Sequence, residues 1–135
     1  MSAITQLYGK LRAKTFKPGE VLIEEQGAKG KLFVLESGEL GVIRDGVEVA
    51  TVTESGALVG EISALLDAPP TATVKAKTPV KAYIVPNPVG RLLDDPALLL
   101  HVARLLAHRL TETTAYLAAS KQKTRAQVKA LLREL

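Results

Sequence analysis

The chain has neither cysteine nor tryptophan, and its aromatic share is only 4%. Without cysteine there is no disulfide framework, no thiolate nucleophile and no cysteine metal site. With two phenylalanines and three tyrosines in 135 residues, the core must be built from valine, leucine, isoleucine and alanine. No apolar run approaches the ~20 residues that span a bilayer. The opening residues, M-S-A-I-T-Q-L, carry neither the charged n-region nor the apolar h-region of a leader. These absences lead to the expectation of a cytoplasmic protein with no membrane partner. Equally missing are a nucleophile elbow and paired carboxylates placed in a cleft, so an enzyme is not expected. His101 and His108 lie seven apart on one helix face, and with Glu112 the one carboxylate at helical spacing from them the ligands are too few to complete a metal site. No metal and no cofactor are expected.

What is present is one domain's worth of chain with an ordinary apolar fraction of 47%. The net charge of +4 is unevenly spread. Residues 1–95 hold 11 Lys/Arg against 12 Asp/Glu, whereas residues 96–135 hold 7 against 2. A basic C-terminal segment admits two readings, a nucleic-acid contact or an exposed helix face on which lysine and arginine are common.

Residues 1–95 read as short strands punctuated by Gly19, Gly27, Gly30, Gly38, Gly41, Gly46 and Gly56. Asp45-Gly46 between G-V-I-R and V-E-V-A-T-V signals a two-residue hairpin. Alternation of Val47, Val49 and Thr51 with Glu48, Ala50 and Val52 predicts a two-faced strand. V-K-A-Y-I-V at Val80–Val85 is a final strand, ended by Pro86 and Pro88.

The period then becomes 3.6. Asp94 or Asp95 is the expected cap of a helix with Pro96 in its first turn. Leu99, Ala103, Leu106, Leu110, Thr113 and Leu117 step by four and three, the spacing of a two-stranded seam. Leu98, Val102 and Leu105 form a second stripe available to cover the strands. One helix with two apolar stripes needs two partners, which predicts a parallel homodimer. Beyond Leu117 the seam turns polar at Ser120, Lys121 and Thr124. A last amphipathic piece is expected after that, with Val128, Leu131, Leu132 and Leu135 opposite Arg125, Lys129 and Arg133.

The most informative run is Val59–Val74, V-G-E-I-S-A-L-L-D-A-P-P-T-A-T-V. It reads as a short helix opened by Gly60-Glu61, stopped by a Pro-Pro turn and followed by a T-A-T-V strand. A helix start leaves its first N–H groups without intrahelical partners and favours negative charge there. Glu61 beside such a site suits a neutral hydroxyl donor, so a phosphate and a sugar hydroxyl together point to a nucleotide. The plainer alternative is a helix–turn–strand with a chance acidic residue.

This run resembles the phosphate-binding cassette of the cyclic-nucleotide-binding domain family. Gly60, Glu61, Ile62, Ser63, Ala64, Leu65, Pro69, Thr71, Ala72, Thr73 and Val74 match that family's pattern, and Pro70 stands where the family carries its phosphate-gripping arginine. F-K-P-G-E-V-L-I-E-E-Q-G at Phe16–Gly27 and L-F-V-L-E-S-G-E-L-G-V at Leu32–Val42 resemble its earlier turns and strands. The resemblance implies a mainly β fold with flanking helices. Residues 1–95 would form an antiparallel β-roll (a double-stranded β-helix of jelly-roll type) with a cassette helix, and 96–135 a long dimerisation helix with a basic tail.

The resemblance also implies roles. Glu61 would accept a hydrogen bond from the ribose 2′-hydroxyl. The backbone N–H groups around Gly60, Ile62 and Ser63 would face the cyclic phosphate of cyclic AMP, cyclic GMP or another small anion. Thr71 would add a hydroxyl and Ala72 an N–H, while Thr113 and Thr114 fall where related activators touch the purine. Losing one partner of a buried charge pair costs on the order of 2–5 kcal/mol, so with Pro70 the affinity should fall roughly thirtyfold to several thousandfold. Lys75 and Lys77 follow on the next strand but should be carried away from the cassette.

The expected function is therefore a ligand sensor that holds cyclic nucleotides weakly or not at all. The alternatives are a nucleotide-free dimerisation module and the sensor half of a transcription regulator. Only 18 residues follow Leu117, too few for a winged helix-turn-helix, so nucleic acid is not expected as a partner of this segment alone.

Overall fold

The computed structural model describes residues 10–133. Eight strands come in chain order: β1 Arg12–Phe16, β2 Val21–Ile23, β3 Phe33–Ser37, β4 Leu40–Arg44, β5 Val47–Val52, β6 Leu58–Val59, β7 Thr73–Ala76 and β8 Val80–Ile84. Among the described residues three helices accompany them: α1 Glu61–Leu66, α2 Pro88–Asp94 and α3 Pro96–Arg133. The strands form two four-stranded antiparallel sheets, ordered β1-β8-β3-β6 and β2-β7-β4-β5. Phe16, Phe33, Leu35, Val59, Val80 and Ala82 from the first sheet share one core with Leu22, Ile23, Leu40, Val74 and Ala76 from the second. This is the antiparallel β-roll implied by the resemblance. Phe16 and Phe33 meet edge to face, so two of the few aromatic rings stand together in an aliphatic core.

The Asp45-Gly46 hairpin forms as its dipeptide requires. Both residues take positive φ, 51° and 78°, and Arg44 pairs with Val47. The strand after it departs from expectation. β5 is the sheet's edge strand, and Val47 and Val49 remain 62% and 60% exposed. Alternation specifies two faces, but it does not supply a second layer to bury one of them. Gly41, expected at a turn, lies inside β4.

Contacts divide the chain into two compact units, one ending at Pro96 and the other beginning at Ala97. The second unit is the body of α3. A separate short helix, α2, precedes it, and the chain breaks at Asp95 in extended conformation before Pro96 opens α3. The helix then runs unbroken for 38 residues, roughly 57 Å. The polar stretch after Leu117 and the last amphipathic piece lie on the same helix, since Ser120, Lys121 and Thr124 change the polarity of the seam without breaking the backbone. From Ala97 onward the sequence has no glycine or proline. Leu98 and Val102 are buried, whereas Leu99, Leu110 and Leu117 are exposed. Leu135, assigned above to the last apolar stripe, lies outside the described residues.

Candidate functional site

The cassette is assembled from α1, the turn after it and the start of β7. Gly60 precedes the helix with φ of 90°, and a Cβ there would collide with the Lys31 carbonyl. Only glycine allows this close crossing of two backbone segments. The crossing sets the direction of α1 and draws Glu61 inward to 8% exposure, although it is the helix's first residue. Ile62 points out, whereas Ser63 and Ala64 are buried.

The helix ends earlier than the Pro-Pro pair suggests. Asp67 takes the left-handed conformation (φ 50°, ψ 47°), and the Ala68 N–H donates to the Ser63 carbonyl. Pro69 and Pro70 follow that cap rather than causing it. β7 begins at Thr73, two residues later than the T-A-T-V run implies.

Ser63 has a part that the sequence conceals. Its Oγ donates to the Ala68 carbonyl at 2.5 Å and accepts from the Gly30 N–H at 3.1 Å. Gly30 belongs to the β2–β3 loop, and that loop is tied to the cassette three more times. The Gln26 N–H donates to the Pro70 carbonyl at 2.9 Å, and the Glu25 N–H donates to Thr73 Oγ1 at 3.0 Å. Lys29 pairs with Asp67 at 3.0 Å. Residues 25–30 therefore act as a strap across the cassette. Its sequence trace was the G-A-K-G spacing at 27–30, which marks a turn without naming its partner.

The remaining site residues are placed as follows. Pro70 is buried, Thr71 is exposed and Ala72 is half-buried. Lys75 is exposed, and Lys77 is occupied with Glu48 at 3.0 Å on the far sheet edge. Gly60 to Ser63 and Pro70 to Ala72 thus lie within one strapped segment, with Lys29 engaged by Asp67. Thr113 and Thr114 are exposed on α3, in the other compact unit. His101 is half-buried and His108 exposed, and no cluster of three or more metal-binding side chains occurs among the described residues. No helix among them is long and apolar enough to cross a membrane.

The solved cyclic nucleotide-binding domain of Methylobacillus flagellatus superposes with a TM-score of 0.70 at 23% identity, covering 79% of this chain and 66% of that one. The regulatory subunit of a cAMP-independent protein kinase A from Trypanosoma cruzi, bound to guanosine, superposes with a TM-score of 0.57. It is 32% identical, covering 62% of this chain and 30% of that one. The acetyltransferase Pat of Mycolicibacterium smegmatis is 33% identical over 113 residues, which are 81% of this chain and 34% of that protein. The chain thus spans about a third of that relative's length. A model of the family described as the cyclic nucleotide-binding domain matches residues 13–91, a stretch that holds the whole cassette and both sheets except Arg12 at the start of β1. With more than half its length so matched, the chain belongs to the cyclic nucleotide-binding domain family.

Proposed function

We propose that the chain is a regulatory ligand-sensing domain whose cassette receives the ribose of a nucleoside or nucleotide at Glu61 and holds cyclic phosphates weakly. The observation that carries this reading is the pairing of a buried Glu61 with a buried Pro70 in one strapped cassette. A buried carboxylate accepts hydrogen bonds at about four lone-pair positions, which suits a sugar hydroxyl as one donor. Pro70 offers only its carbonyl, already taken by Gln26, and no cation for a phosphate. The neighbouring lysines are engaged elsewhere or exposed, which further supports the weakness. The trypanosomal relative, described as cAMP-independent and bound to guanosine, lends support, since guanosine is a nucleoside without phosphate. The acetyltransferase relative supports a module that works beside another domain, since the matched stretch is a minor part of that protein.

The exposed seam residues Leu99, Ala103, Leu110, Thr113 and Leu117, with half-buried Leu106 among them, support pairing of two copies through α3. The burial of Pro70 also favours a second reading, a nucleotide-free dimerisation module. Calorimetry separates the two. Cyclic AMP and cyclic GMP should bind the parent chain weakly or not measurably, and guanosine should bind better. Pro70→Arg keeps the carbonyl bond to Gln26 and should raise cyclic AMP affinity at least tenfold, with Glu61→Ala in that background reversing the gain. Low-micromolar binding of cyclic AMP by the parent would refute the assignment of Pro70. Silence from guanosine, and from cyclic AMP on both proteins, would leave the dimerisation module.

A further inference from the structure

We propose that the C-terminal third of α3 is a contact surface for the phosphate backbone of duplex nucleic acid, used without base readout. Lys121, Lys123, Arg125, Lys129 and Arg133 fall within 13 residues, and no acidic residue occurs between Glu112 and Arg133. Every position from Lys121 to Arg133 is exposed, and none of the five cations has an ion pair with another described residue. The first unit is nearly neutral, so the positive field of the chain is concentrated on this helix.

The spacing has a geometric meaning. Lys121, Arg125, Lys129 and Arg133 recur every four residues, rising about 6 Å per step and turning about 40° each time. They trace a stripe about 18 Å long over roughly a third of the circumference. A bare helix about 10–12 Å across matches a major groove about 12 Å wide. A duplex carries one charge per about 1.7 Å, so such a stripe passes about ten phosphates. Ser120 lines a shallow recess with Lys121, Thr124 and Arg125, which places one hydroxyl beside two of the cations, a combination suited to phosphate oxygens; the Thr124 hydroxyl already donates to the Ser120 carbonyl at 3.0 Å.

An anionic membrane is the competing polyanion, and the arrangement disfavours it. A membrane-surface helix separates its apolar and basic faces. Here the amphipathic piece keeps its two faces only partly apart: Leu132 projects roughly 20° round the helix from Lys121, between it and Arg125, while Lys123 leaves from the far side. The segment also has no aromatic residue to seat at a lipid interface. The inference stands apart from the ligand reading and does not require the helices to pair.

The test is anisotropy of a labelled 20-base-pair duplex titrated with the full chain between 50 and 200 mM salt. Four cations on phosphates predict a slope of log affinity against log salt near about −3.6. That is about a 150-fold loss across the range, the same for two duplexes of scrambled sequence. The quadruple variant Lys121→Gln, Arg125→Gln, Lys129→Gln, Arg133→Gln should retain its helical circular dichroism and lose at least 50-fold in affinity at 50 mM. Arg125→Gln alone should reduce the slope by about 0.9. Four results would overturn the proposal: no duplex binding at 50 mM salt, a slope shallower than −1, unchanged binding by the quadruple variant, or strong preference for one sequence. Tighter binding to vesicles containing phosphatidylserine, abolished by Leu131→Ser with Leu132→Ser, would reassign the surface to membranes.

Discussion

Replacing Ser63 with alanine tests the strapped cassette without needing a ligand. The side chain is 2% exposed and satisfies two backbone groups, the Ala68 carbonyl and the Gly30 N–H. A typical intramolecular hydrogen bond contributes about 1 kcal/mol net, and an orphaned buried partner raises the cost toward about 3 kcal/mol. Both partners here are half-buried, so water recovers part of the loss and the sum is about 2 kcal/mol. For a chain of this size that lowers the melting temperature by about 8 °C. The comparison is Ile62→Ala one residue earlier, where the side chain is 48% exposed and the cost should stay near 0.5 kcal/mol. Thermal melts of the three proteins by circular dichroism are sufficient. A Ser63→Ala protein melting within about 1 °C of the parent would refute the strap as a stabilising contact, because no other role of Ser63 enters the calculation.

Three further outcomes follow from the geometry. Gly60→Ala forces a side chain into left-handed backbone and against the Lys31 carbonyl, and should cost about 3 kcal/mol or more. Gly46→Ala, at φ 78° with open space around it, should cost only about 1 kcal/mol, and equal melting losses for the two would refute the close crossing. Glu36 is held below its usual pKa by hydrogen bonds from Lys81 and Tyr83. Its contribution is therefore present above the unfolded carboxylate value and lost as pH falls through the lowered folded value, so Glu36→Gln should flatten the acid limb of a stability–pH curve. Leu106→Lys with Leu110→Lys should sediment as a monomer, and a parent already monomeric at tens of micromolar would sink the seam.

Local chemistry was legible where it is local. Asp45-Gly46 specifies its turn through two positive φ values, and the Gly60-Glu61 start of the cassette is visible in six letters. The strap was not legible, because Gly30 and Ser63 meet across 33 positions and Glu25 and Thr73 across 48. Nothing in a two-residue pattern names a partner so far away. The helix stop was misplaced for a related reason. Two prolines advertise a break, whereas Asp67 makes it by adopting a conformation that aspartate tolerates at modest cost. The continuity of α3 is legible in its lack of glycine and proline beyond Pro96, because Ser120 and Thr124 alter the polarity of the seam and not the backbone.

The strap also bears on the order in which the chain folds. A six-residue helix is far below the length that is stable alone, so α1 persists only through its tertiary ties. Closing a 48-residue loop costs on the order of 3 kcal/mol in chain entropy before the Glu25–Thr73 bond returns anything. The β4–β5 hairpin has no such toll and can form early. The cassette is consequently among the last parts of the roll to set and among the first to open. Its readiness for a ligand is thus tied to completion of the roll.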